Sequence, residues 1–220
     1  EQLVSRCTHI AWELGVVRHH RLFALVYMGE MAECARRAAT LLADVLERGD
    51  RHGEVYLRSG VLPFCDLARD DPTACIDGAL GAVAAWAQPR WLVQHYSVFM
   101  AVTQGHLYRG DGDAAAHEVE ARWPALSRSL LLGISMVRVE TWRLRVRAAL
   151  LQAETARGWR RRRLLKAASR ALRVITTEPG APGQPFAPLI RAAIARLQGD
   201  EPRALLELDR AHVAFTAADM

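Results

Sequence analysis

A helix-ending phrase recurs along this 220-residue chain, and its spacing constrains the fold more than any other feature. Tyr27-Met28-Gly29-Glu30 is one copy, Glu47-Arg48-Gly49-Asp50 a second and Tyr108-Arg109-Gly110-Asp111 a third. Leu197-Gln198-Gly199-Asp200-Glu201-Pro202 repeats it, and Leu67-Ala68-Arg69-Asp70-Asp71-Pro72 does so without glycine. Each copy puts a helix-stopping Gly or Asp after one helix and an acidic N-cap before the next. Gly29 and Gly110 are 81 residues apart with Asp70-Asp71-Pro72 halfway, and Gly110 and Gly199 are 89 apart with Gly158 near the middle. The unit is therefore about forty residues, or two helices. Between the turns the apolar residues keep a helical step, as in Leu22, Leu25 and Val26, or Ala35, Ala38, Ala39, Leu42 and Val45. Strand alternation is scarce, and the chain reads as all-α.

Regular helix pairs each bury a face on the next pair, which is the logic of a solenoid. The expected fold is a tetratricopeptide-like α-solenoid of about five antiparallel helix pairs in a right-handed superhelix. Residues 1–220 are expected to form a single helical-repeat domain, a fragment of a longer multidomain chain. The punctuation places helices near 2–13, 17–28, 31–48, 53–69, 72–88, 90–109, 113–127, 131–157, 161–177, 185–198 and 201–217. The one stretch with loop composition, Glu178 to Pro185, joins two helices within a repeat.

With 51% hydrophobic residues and a formal net charge of +5, the chain is globular rather than disordered. Of 29 basic residues only Lys166 is lysine, and asparagine is absent, a bias expected of a GC-rich genome. The four cysteines, Cys7, Cys34, Cys65 and Cys75, form no C-x-x-C pair and read as buried free thiols. Neither a secretory leader nor a bilayer-length apolar run is visible, so a cytoplasmic location is expected, without membrane contact.

Catalytic signatures are missing. Lys166 follows Leu164-Leu165 instead of a glycine-rich loop, and Gly110-x-Gly112 follows a helix and lacks a third glycine. No H-R-D, D-F-G or G-x-S-x-G string occurs. The eight histidines look scattered. His19 and His20 point about 100° apart on a helix, and His95 and His106 stand three turns apart. No enzyme activity, cofactor or metal site is expected, and the six tryptophans read as packing wedges between repeats.

Two helix faces are candidate partner surfaces. One carries Gln94, Ser97, Ala101, Gln104 and Tyr108, and the other Arg138, Thr141, Arg145, Ala148 and Gln152. Amides and guanidinium forks there suit an extended, acidic peptide. The partner-binding residues are thus expected to be Gln94, Gln104, Tyr108, Arg138, Arg145 and Gln152. Arg160, Arg161, Arg162 and Arg163 form a second candidate, an anion or acidic-partner patch. Nucleic acid is not the expected partner, because the basic residues elsewhere are spread along the chain. The competing readings are a small-ligand sensor with its pocket between the Gln94 and Arg138 faces, and a helical enzyme of unknown type.

One stretch is more than generic. Gln94-His95-Tyr96, Tyr108-Arg109-Gly110-Asp111-Gly112, Trp123-Pro124-Ala125-Leu126, Ser129-Leu130-Leu131-Leu132 and Leu144-Arg145-Val146-Arg147-Ala148-Ala149-Leu150 follow in order. Together with Tyr27-x-Gly29-Glu30 and the closing Ala217-Ala218-Asp219-Met220, they resemble one bacterial family. It is the C-terminal helical-repeat region of large eukaryotic-like Ser/Thr protein kinases with an AAA/STAND-type ATPase module. Related repeats also end ATPase-type transcription regulators. The resemblance implies a sensor or protein-interaction module making cis contacts with kinase and ATPase domains of a parent chain. It implies no catalytic residue in this region.

Overall fold

A computed structural model describes residues 11–84, 86, 91–177 and 184–218, and every element among them is helical. Cys7, the start of the helix expected near 2–13, the last residues of the one expected near 72–88 and most of the Glu178 to Pro185 loop lie outside the described residues. The helices group into two compact units, Glu1–Gly105 and His106–Met220.

The first unit holds α1 (Ala11–Tyr27), α2 (Met31–Glu47), α3 (Arg51–Tyr56), α4 (Leu62–Ala68), α5 (Pro72–Ala84) and most of α6 (Val93–Tyr108). Leu22 of α1 packs with Cys34, Ala38 and Val45 of α2 and with Leu57, Val61 and Cys65 along the α3–α4 rod. Cys75, Ile76 and Ala79 of α5 pack with Val98, Ala101 and Val102 of α6. A Cβ at Gly105 would fall 2.5 Å from Cγ1 of Ile76, so only glycine lets these two helices approach there.

The second unit holds α7 (Gly112–Arg128), a 3-10 turn (Leu130–Gly133), α8 (Ser135–Thr155), α9 (Gly158–Thr177), α10 (Phe186–Gln198) and α11 (Glu201–Ala217). Val139 and Val146 of α8 share a core with Ala168, Leu172 and Ile175 of α9 and with Ile190 and Ile194 of α10. Within each unit, helices pack on their neighbours in sequence and in places on the next but one.

The turns behave as the sequence predicts. The turn glycine is left-handed at Gly29, Gly49, Gly110 and Gly199, Asp70 adopts φ 62° in the one phrase without glycine, and Gly158, at the start of α9, is left-handed too. Asp50, Asp71, Asp111 and Asp200 each accept a hydrogen bond from an amide three residues on, at 2.8 to 3.2 Å. Glu30 differs: its side chain caps nothing.

Several helix boundaries differ from expectation, α6 starting at Val93 and α9 at Gly158 among them. No break separates residues 13 and 17, because Gly15 stays helical inside α1. The rod expected over 53–69 contains a π turn, Leu57–Val61, closed by a bond from the Leu62 amide to the Leu57 carbonyl. Pro63 sits one residue further on and has no amide to donate back to Ser59, so a wider turn absorbs the missing bond. The long helix near 131–157 begins as the 3-10 turn and becomes α-helical only at Ser135.

Candidate functional site

In the first unit, the π turn faces a ring network that runs outward from the buried His19 to the exposed His52. Gly60 lets the His19 imidazole lie against the backbone, since a Cβ there would meet His19 Cε1 at 2.9 Å. His19 meets Tyr56 at a tilt of 54°, 3.7 Å between ring centres, and Phe23 edge-on at 4.7 Å. The network continues from Tyr56 to His52 at 5.8 Å, then to Trp86 at 6.4 Å, to His95 at 5.7 Å and to Trp91 at 6.3 Å. Three of the eight histidines are therefore less scattered than their spacing suggests. His19, His52 and His95 share one network because three different helices deliver them.

Burial holds His19 neutral. Desolvation, helped by His20 and His52, pulls its pKa from 6.5 down to about 3, and its Nδ1 is buried without a partner among the described residues. Burial also raises the Tyr56 hydroxyl above its ordinary pKa. Beside this network runs a cleft of about 340 Å3, walled by Arg51, Glu54 and Arg58 on one side, Asp77, Gly78 and Gly81 on the other, with Trp86 at its edge. Glu54 accepts from Arg58 at 3.0 Å and pairs with Arg51 at 3.6 Å. Among the described residues, no three His, Cys, Asp or Glu side chains converge as ligands for a metal ion.

The residues predicted to bind a partner occupy different environments. Gln94 is buried, and its amide nitrogen donates to Nε2 of His52 at 3.0 Å, so it belongs to the ring network instead of an open face. Gln104 is half-buried and Tyr108 is exposed. On α8, Thr141 and Ala148 are fully packed. Arg138 donates to the Leu132 carbonyl and thereby staples the 3-10 turn to the helix. Gln152 donates to Asp113 Oδ1 at 2.6 Å, and Arg160 reaches the same oxygen at 3.3 Å. The structure thus brings Gln152 and Arg160 together on one carboxylate.

Arg145 has the most distinctive setting. Its guanidinium carbon lies 4.3 Å from the ring centre of Trp123 and 5.1 Å from that of Trp142, and the two indoles meet edge to face at 5.3 Å. Desolvation pulls its pKa down, while the nearby Glu120 works in the opposite direction. These two tryptophans are a cation platform as well as packing groups. The Trp142–Arg145 spacing of three was the one signal in the sequence that could have shown it.

The Arg160 to Arg163 run falls in the first turns of α9, as expected. Arg160 is tied to Asp113 and Arg163 lies over the Trp159 ring at 5.5 Å. Arg161 buries its Nε without a partner among the described residues. The helix bears seven basic side chains and no acidic one, with Lys166, Arg170 and Arg173 exposed along it.

No family model matches the chain, and neither do any curated protein or solved structure. None of the helices among the described residues is long and apolar enough to cross a membrane.

Proposed function

We propose that this chain is a non-catalytic protein-interaction module, a single tetratricopeptide-like α-solenoid of about five helix pairs. It regulates an attached bacterial Ser/Thr kinase or signalling ATPase. The observation that carries the reading is the outer surface of α11. Leu205, Leu206, Leu208 and Val213 are between 45 and 66% exposed, while Ala204, Glu207 and Ala211 face inward. Four large aliphatics presented by one helix are the kind of surface that marks a protein contact. Packing between sequence neighbours and the evenly spaced turns support the repeat architecture. The family resemblance of the Gln94 to Leu150 stretch supports the kinase connection.

The test joins this region to the catalytic domains of its parent chain and measures autophosphorylation with and without it. Association and a changed rate, both lost in the double variant Leu208→Asp, Val213→Asp, are expected. A rate indifferent to the region, with no association, overturns the reading.

A second reading, a small-ligand sensor, draws on the Trp86 cleft, whose volume lies at the lower end of the range for ligand sites. Saturable quenching of Trp86 by a metabolite, abolished by Gly81→Leu, would favour it.

A further inference from the structure

The partner surface reading leaves open which chemistry is recognised, and Arg145 supplies an answer. Its guanidinium carbon lies 4.3 Å from the ring centre of Trp123 and 5.1 Å from that of Trp142, contacts that hold the cation through its π surface and use none of its N–H donors. Among the described residues no acceptor is hydrogen-bonded to those donors, and Glu120 is the acidic group that acts on the guanidinium electrostatically. The neighbouring arginines are engaged. Arg122 bonds Glu118 at 2.9 Å, Arg143 bonds Glu140 and lies over Phe186, and Arg138 holds the Leu132 carbonyl. Arg145 is therefore a cation held in place by two aromatic rings, with the rotamer freedom of its long side chain already reduced. Pre-ordering of this kind lowers what binding must overcome.

We propose that the Trp123–Arg145–Trp142 stack is a carboxylate-reading subsite for an acidic peptide segment of a protein partner. The proposal rests on the interaction-module reading and names its chemistry. Charge complementarity supports it. Residues 106–220 carry 19 basic and 12 acidic side chains, whereas residues 1–105 carry 10 and 12. The positive surplus of the chain belongs entirely to the unit that contains Arg145. A planar guanidinium edge matches a carboxylate through two parallel hydrogen bonds. A nucleic-acid base would need a free indole face, and the cation already covers the ring faces turned toward it.

The test uses the full 220-residue chain, an N-acetylated hexaglutamate peptide, its hexaglutamine counterpart, inorganic phosphate and a single-stranded oligonucleotide. Binding is followed by calorimetry at low salt. Hexaglutamate is expected to bind and hexaglutamine not to. Arg145→Lys keeps the charge but loses the fork, and is expected to weaken hexaglutamate about tenfold with little change in melting temperature. Glu120→Gln removes the competing charge and is expected to tighten binding about threefold. Undiminished binding by Arg145→Lys overturns the proposal. So does an oligonucleotide that displaces the peptide, or phosphate that occupies the site equally well. Absence of hexaglutamate binding overturns it too, yet leaves the association with the parent's catalytic domains to be judged by its own experiment.

Discussion

Gly60 and His19 require one another: the absent Cβ of one, which would sit 2.9 Å from Cε1 of the other, is the space the imidazole occupies. The π turn of the α3–α4 rod thereby gains a packing partner from α1. Gly60→Ala is expected to destabilise the protein by about 1–3 kcal/mol through overpacking, read as a lower urea midpoint. In the background of His19→Ala the same substitution should lose most of its effect. Equal effects in both backgrounds would show that the two residues are not coupled.

The buried imidazole also sets an acid limit. The pKa of His19 is 6.5 when unfolded and about 3 when folded, so the native state binds fewer protons than the unfolded one below neutrality. This contribution to stability is complete above pH 6.5 and is lost progressively as pH falls toward 3. Between pH 6.5 and 4.5 the loss amounts to about 2–3 kcal/mol. Urea unfolding across that interval should show it, and His19→Gln should flatten the dependence. An unchanged slope in the variant would assign the acid sensitivity to other groups.

Cys34 and Cys65 lie with their sulfurs 3.9 Å apart in the first core, and burial pushes the Cys65 thiol up to about 12. Cys75, also buried, donates to the Ala101 carbonyl at 3.4 Å. A thiol held protonated and out of solvent is a poor nucleophile. Iodoacetamide should therefore leave all three unmodified in the native protein and label them in denaturant, as peptide mass mapping would reveal. Rapid native labelling of Cys65 would contradict the packing of α2 on α4.

The turns offer a paired comparison. Asp111 accepts from the Ala114 amide at 2.9 Å, while Glu30, at the corresponding place in its own turn, caps no amide. Asp111→Ala should cost about 1 kcal/mol, whereas Glu30→Ala should fall within about 0.5 kcal/mol of the parent chain. Thermal melts of the two variants decide it; equal losses would mean that the Asp111 cap contributes nothing beyond Glu30.

The sequence alone determined whatever depends on neighbours within one turn of chain. Helical period, the left-handed residues from Gly29 to Gly199 and the Asp caps are all local, because a backbone hydrogen bond reaches only three or four residues. Pro63 made even the π turn locally explicable once its geometry was known. Tertiary structure decided which side chains meet across helices. Gln94 reads as part of an open polar face until His52, 42 residues away, takes its amide and buries it. Half of the Arg145 platform was legible, since Trp142 is three residues away on the same helix. The other half, Trp123, lies on α7 and reaches Arg145 only because α7 folds back beside α8. Likewise His19, His52 and His95 are unrelated by spacing and become one network when three helices converge. Helix periodicity is encoded residue by residue, whereas the register between packed helices emerges from the summed burial of whole faces.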